Sequence, residues 1–221
     1  MVNYNDVVIG FIERFKINAS NIDELCYEFY ALFKDDAISV AIERPSCSRI
    51  VIIGKDFEVR VYISPNGEGT LATFINTKNN IQTVAGNFKR FLISLNKILL
   101  SLANIVEEPT IILRMIIAPK LESAAHVLQA FRDLGMVVET IDKKFINDFN
   151  VTIIKGFYIG KNLRKHQTTV SMITNERTEI GITIESKVHL ETLYRDNVLH
   201  ELIVELYNVL TYFEKSLTSK E

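Results

Sequence analysis

The segment that decides the fold runs from 60 to 92, "RVYISPNGEGTLATFINTKNNIQTVAGNFKRFL". Its start alternates apolar and polar residues with a period of two, the pattern of a half-buried strand. Pro65-Asn66-Gly67 then offers a turn in which Gly67 can take a positive φ. A second β-rich run, "TLATFIN" from Thr70, answers the first, so the two read as a hairpin. From Ile81 the period changes. Apolar residues stand at 81, 84, 85, 88, 91, 92, 95, 98, 99 and 102, which is one face of a long helix.

Upstream lie two more short β-rich runs, "AISVAIE" from Ala37 and "RIVIIG" from Arg49, and the first strand of the hairpin itself starts at Glu58, "EVRVYIS". Before them, "SNIDELCYEFYALF" has the marks of a helix start, with Ser20 as cap and Asp23 positioned to return the bond. The apolar run "VVIGFIERFKI", Val7–Ile17, fits a strand or a first helical turn by periodicity alone.

Downstream, Glu107-Glu108-Pro109 ends the long helix and the order restarts. "TIILRMIIA" from Thr110 is a strand. "LESAAHVLQAFRDLG" is a helix closed by Gly135, a C-cap residue. "MVVETID", "VTIIKGFYIG", "TTVSMIT" and "EIGITIE" are strand candidates, and a last helix carries apolar residues at 199, 202, 203, 206, 209, 210, 213 and 217. Both halves therefore read strand, helix, four strands, helix. The expected fold class is α+β: two pseudo-repeats, residues 1–106 and 107–221, forming a curved antiparallel sheet, a saddle, with helices on one face. The halves share little residue identity, so what repeats is the architecture. Joining the sheets edge to edge would cover exposed edge strands.

The bulk composition narrows the function. Hydrophobic residues make up 48% and charged residues 24%, so a chain of this length buries a core without staples. The net charge of −2 supplies no overall basic field to recruit nucleic acid or membrane. Of two cysteines, Cys26 falls on an apolar helix face and Cys47 in the polar link "RPSCSR". Their pairing stays open, with two reduced thiols the expected state, and no zinc spacing exists. The start "MVNYNDVVIG" lacks the pattern of a signal peptide. The longest apolar run, 81–106, is broken by Asn87, Lys89, Arg90, Asn96 and Lys97. A cytoplasmic chain without a membrane span is expected.

The doubled order, carried by "VRVYISPNGEGTLATFIN" leading into "NNIQTVAGNFKRFL" and by "TTVSMITNERTEIGITIES" leading into the last helix, resembles the TATA-box-binding protein fold. That resemblance spans roughly residues 5–215 at the level of element order. It implies a saddle whose concave sheet meets the minor groove of DNA. The family's paired Phe wedges are replaced here by Ile63 and Ile173, which are wedge candidates because Ile can also insert between base steps. The family's strongly basic second helix is reduced to Lys89, Arg90 and Lys97.

Candidate contact residues follow from charge. The loop 160–167, "GKNLRKHQ", gathers Lys161, Arg164, Lys165 and His166, with Lys155 upstream. Long cations at a sheet rim can hold phosphates; a solvated tip that keeps the edge soluble is the plain alternative. Arg44, Arg49, Lys55 and Arg60 lie on or beside the corresponding strands of the first half. His189 and His200 are eleven positions apart (200 minus 189), about 16 Å along a helix and too far for one metal. No Gly-x-Ser-x-Gly, P-loop or dinucleotide motif is present. The expectation is a noncatalytic binding module without metal or cofactor, nucleic-acid-associated or transcription-related. The alternatives are a protein-interaction or dimerisation module and an apolar-ligand carrier.

Overall fold

The computed structural model describes residues 7–43, 48–77, 81–117, 124–146, 149–159, 167–174, 180–189 and 197–218. The chain forms two compact units. The N-terminal unit comprises Ile9–Ile111 with Val188–His200, and the C-terminal unit Ile112–Lys187 with Glu201–Glu221 and Met1–Val8. Element order is that of a doubled α+β unit. The first repeat runs β1 (Val7–Ile17), α1 (Ile22–Phe33), β2 (Ala37–Ile42), β3 (Arg49–Gly54), β4 (Phe57–Ile63), β5 (Glu68–Thr77) and α2 (Ile81–Leu102), followed by the short β6 (Ala103–Ile105). The second runs β7 (Thr110–Ile117), α3 (Ala124–Asp133), β8 (Val137–Ile146), β9 (Phe149–Ile159), β10 (Gln167–Thr174), β11 (Ile180–Lys187) and α4 (Val198–Thr218).

Strand order repeats as well. The first sheet reads β2-β3-β4-β5-β1, and the second reads β8-β9-β10-β11-β7. Consecutive strands pair antiparallel from β2 to β5 and from β8 to β11. In both repeats the strand after the first helix is the edge, and it carries a register shift near its start: Ala37/Ser39 in β2, Val138/Thr140 in β8. The ambiguous run Val7–Ile17 is a strand.

In the N-terminal unit Ile50, Ile52, Val59, Val61 and Leu71 are wholly buried on one face of the sheet. Leu25 and Phe29 of α1 and Phe88, Leu92, Leu95 and Leu99 of α2 are buried with them. The rings of Phe33, Phe57 and Phe91 join α1, β4 and α2 at centroid separations of 5.4–5.6 Å, within the range of favourable aromatic pairs. In the C-terminal unit, Phe131 of α3 and Phe213 of α4 meet at 5.0 Å. The Phe131 ring lies where a side chain at Gly156 would stand, so α3 rests directly on β9. Ile203, Leu206 and Leu210 of α4 are buried as the 3.6-residue period requires.

The turn after β4 forms as its residues dictate. Gly67 has φ +80°, the Gly67 N–H donates to Ser64 O (2.9 Å), and the Ile17 N–H donates to Gly67 O (2.9 Å). Three details depart from expectation. Ser20 does not cap α1: a 3-10 turn at Ala19–Asn21 leads into the helix, and the Ser20 hydroxyl bonds Asn21 Oδ1 instead. The Asn21 amide in turn donates to Leu102 O (3.0 Å), tying the start of α1 to the end of α2. β6 continues that tie by pairing with the end of β1. Cys26 is disulfide-bonded rather than reduced; Cys47, the sequence's other cysteine, lies outside the described residues. Among the described residues no helix is long and apolar enough to cross a membrane.

One polar pair sits inside this core. Glu13, on the inward face of β1, is 1% exposed, and Asn96 of α2 is wholly buried. With its nitrogen turned toward the carboxylate, the Asn96 amide donates to Oε1 at 3.0 Å and Oε2 at 3.2 Å. Burial pushes the Glu13 carboxyl from 4.5 up to about 7, because a charged carboxylate loses its water there.

Candidate functional site

Strand alternation sends every second side chain of the N-terminal sheet away from the buried face. Register then sorts those outward residues into cross-strand rows. One row is Ser39, Ile53, Glu58 and Phe74; the next is Ala41, Val51, Arg60 and Ala72. The last contains Arg49, Tyr62 and Thr70, extended to Glu43 by the Glu43 N–H to Arg49 O bond (3.0 Å).

Charge along these rows is paired within the unit. Arg49 Nη1 donates to Glu43 Oε1 (3.3 Å), and its guanidinium lies 5.6 Å from the Tyr62 ring centroid, a cation–π distance. Arg60 Nε donates to Glu58 Oε1 at 2.6 Å. That hydrogen bond raises the Arg60 pKa further above its already high value. Where β1 approaches, Arg14 Nη1 donates to Glu107 Oε1 (3.0 Å). Glu107 is carried there by the segment after β6, whose Val106 N–H donates to Arg14 O (3.0 Å).

Between these groups is a groove of about 880 Å³. Its charged walls are Arg14, Lys16 and Arg49 against Glu43, Glu68 and Glu107, three of each sign. Tyr62, Thr70 and Val106 are among the uncharged residues that line it between the charges. Tyr62 is 40% exposed and Val106 54%.

The predicted contact residues divide as follows. Arg49 and Arg60 share this outward face on neighbouring strands, each with a carboxylate partner. Lys55 is exposed in the turn between β3 and β4. Ile63 is 5% exposed and lies on the inward side of β4 with Val59 and Val61, so it is not presented as a wedge from that face. Ile173 sits on β10 opposite Gly181 and Ile153; its side chain lies outside the described residues. Lys155, exposed on β9 of the C-terminal unit, shares a row with Thr140, Ser171 and Thr183. Arg44, Lys161, Arg164, Lys165 and His166 lie outside the described residues. Tyr62, Glu43, Glu58, Arg14 and Glu107 were not singled out by the sequence. Period-two alternation alone places Glu58, Arg60 and Tyr62 on one face, whereas Glu43 and Glu107 reach it only through register.

No family model matches the chain, and no curated protein does. Among solved structures the chain is similar to the immunity protein TplEi of the T6SS from Pseudomonas aeruginosa, complexed with "L" peptide. Identity is 8%, 94% of this chain and 91% of that chain are covered, and the TM-score is 0.28. It is also similar to a protein described as a "putative glycine cleavage system transcriptional repressor", with 12% identity, 93% of each chain covered and a TM-score of 0.21. Scores of this size do not establish a shared fold, and neither activity nor partner carries over from them.

Proposed function

We propose that the chain is a noncatalytic binding module, and that the outward face of its N-terminal sheet takes a protein partner. The observation that carries this reading is the exposed Arg49–Tyr62 pair in a groove whose charges balance. Tyr and Arg are the residue types that dominate protein interfaces when partly pre-buried and held rigid. A nucleic acid backbone would meet Glu43, Glu58 and Glu107 beside their arginines, and these carboxylates oppose a phosphate there. A protein surface can instead bury Tyr62 and leave the pairs intact at the rim. The reading uses no cofactor and no catalytic step. A TATA-box-binding-protein-like doubled fold stays part of the proposal, resting on element order; DNA recognition does not follow from it.

A display selection of random peptides against the folded protein tests this. Peptides that bind the wild type should lose at least about tenfold in affinity on Tyr62→Ala and on Arg49→Ala, with the melting temperature unchanged. If no recovered peptide depends on either residue, this face is not the site.

One observation favours a second reading. Lys155 stands in a row of hydroxyl residues and precedes the basic segment 160–167. A salt titration of duplex DNA binding with wild type and a Lys161→Ala, Arg164→Ala, Lys165→Ala variant tests it. Each lost phosphate contact should lower the slope of log K against log salt by about 0.9. No affinity even near about 50 mM salt removes this reading.

A further inference from the structure

β2 is the edge of the N-terminal sheet, and Ala37–Ile42 contains no charged residue and no proline. Sheet edges are ordinarily blunted by Lys, Pro or another charge, or by a bulge, since an open edge invites a foreign strand; β2 has only the register shift at Ala37/Ser39. The second repeat supplies an internal comparison. Its edge strand β8 holds the same early register shift but includes Glu139, Asp142, Lys143 and Lys144 in its sequence. One edge is charged and its counterpart is not.

The backbone groups that β2 offers follow from its ladder. Glu43 bonds toward β3 through its N–H. Residues of an antiparallel strand alternate between bonding to the neighbour and pointing away. Ala41 therefore also faces β3, and Val40 and Ile42 direct their N–H and C=O groups out of the sheet edge. Beside them Ile38 is 74% exposed, more than any other large apolar residue described.

From Ile38 to Ile42 the sequence of this edge is near-symmetric, whereas Ala37 and Glu43, the next pair outward, differ. Reading outward from Val40, Ser39 mirrors Ala41 and Ile38 mirrors Ile42; beyond the strand, Asp36 and Arg44 are equally distant in sequence and opposite in sign. We propose that β2 pairs antiparallel with β2 of a second copy of this chain, about a twofold axis at Val40. In that register Val40 exchanges both backbone bonds with Val40 of the second copy. Ile38 stands opposite Ile42 of the second copy on each side of the axis, and the small residues Ser39 and Ala41 face one another. The contact is isologous and closes on itself, so it ends at a dimer. A single short strand buries little surface, which places the affinity in the weak, micromolar class. The contact uses neither Arg49 nor Tyr62, so its fate is separable from that of the groove.

Sedimentation equilibrium from about 5 to about 300 μM spans such an affinity. The weight-average mass should rise from 25.3 kDa toward twice that value. Ile38→Lys places a charge at an exposed edge position, and Val40→Pro removes an N–H that no described strand of the same chain uses. Both should stay monomeric at the highest concentration and keep the wild-type melting temperature at low concentration. Hydrogen exchange at the Val40 and Ile42 amides should slow as wild-type concentration rises. A wild type that stays at monomer mass throughout overturns the proposal, as does a dimer that survives Ile38→Lys. If Val40→Pro fails to fold, Ile38→Lys decides the question by itself.

Discussion

Replacing Glu13 by Gln should make the protein more stable at neutral pH and leave it unchanged in acid. Glu13 is 1% exposed, and burial lifts its carboxyl from 4.5 to about 7. Between those two values the folded chain keeps a proton that the unfolded chain has released. The folded state binds more protons there, so stability falls as pH rises. The loss begins as pH passes the unfolded value and is complete above the folded value. At about 1.4 kcal/mol per pH unit, the interval from 4.5 to about 7 corresponds to about 3 kcal/mol. Donation by the Asn96 amide, 3.0 and 3.2 Å from the two oxygens, favours the charged form and makes this figure a ceiling. Gln fills the same volume, stays neutral, and can still bond Asn96. Urea denaturation of both proteins at several pH values gives the measurement. The two curves should coincide below about pH 4.5 and separate to about 2–3 kcal/mol by about pH 8, the variant being the more stable. Other carboxyls titrate alike in both proteins and drop out of the difference. Curves that stay parallel from about pH 5 to about pH 8 would refute the reasoning, because the carboxyl would then titrate alike in folded and unfolded chains.

Leu95→Ala and Leu206→Ala each remove a side chain that is at most 1% exposed and should each cost about 2–5 kcal/mol by denaturant titration. Gly67→Ala should cost about 1–3 kcal/mol, because Gly67 has φ +80° and its added Cβ would meet the Ile17 carbonyl; recovery in a Gly67→Asn variant, which tolerates this φ better, separates the conformational term. Reduction should lower the melting temperature of the wild type, since Cys26 is disulfide-bonded and a disulfide typically contributes about 2–4 kcal/mol. A Cys26→Ser variant should melt at the reduced temperature with or without reductant.

The doubled order was legible because each element carried its own period. The helical stripe from Phe88 to Leu99 and the alternation of Val59, Val61 and Ile63 against Arg60 and Tyr62 are local facts, and burial follows them. What was not legible depends on partners distant in sequence. Ser20 had the residue type and spacing of a cap, yet the chain used Asn21 to hold Leu102, 81 positions away. β6 is three residues long and exists because the end of β1 needs a partner there. Cys26 was read as a reduced core thiol from its helical face; nothing on that face announces its bond. The candidate site shows the same division. Alternation places Arg60 and Tyr62 together, but Glu43 meets Arg49 only once the β2–β3 register is known. Counting cations along the chain therefore overstated the positive character of this face.

The paired charges of the N-terminal sheet bear on the proposed protein partner. A net charge of −2 is compatible with nucleic acid binding if positive charge is gathered locally and left free. On this face its arginines are paired: Arg14, Arg49 and Arg60 hold Glu107, Glu43 and Glu58 at 3.0, 3.3 and 2.6 Å. Exposed pairs of this kind add little to folding stability. Their effect is on association. A carboxylate beside the arginine repels an approaching phosphate, so the attraction for duplex DNA is reduced at each such position. The same pairs cost a protein partner little, because at an interface rim they can remain solvated while Tyr62, Val106 and Ile53 provide apolar area between them. Binding through this face should accordingly depend weakly on salt and strongly on Tyr62, the reverse of what a phosphate-binding saddle would show.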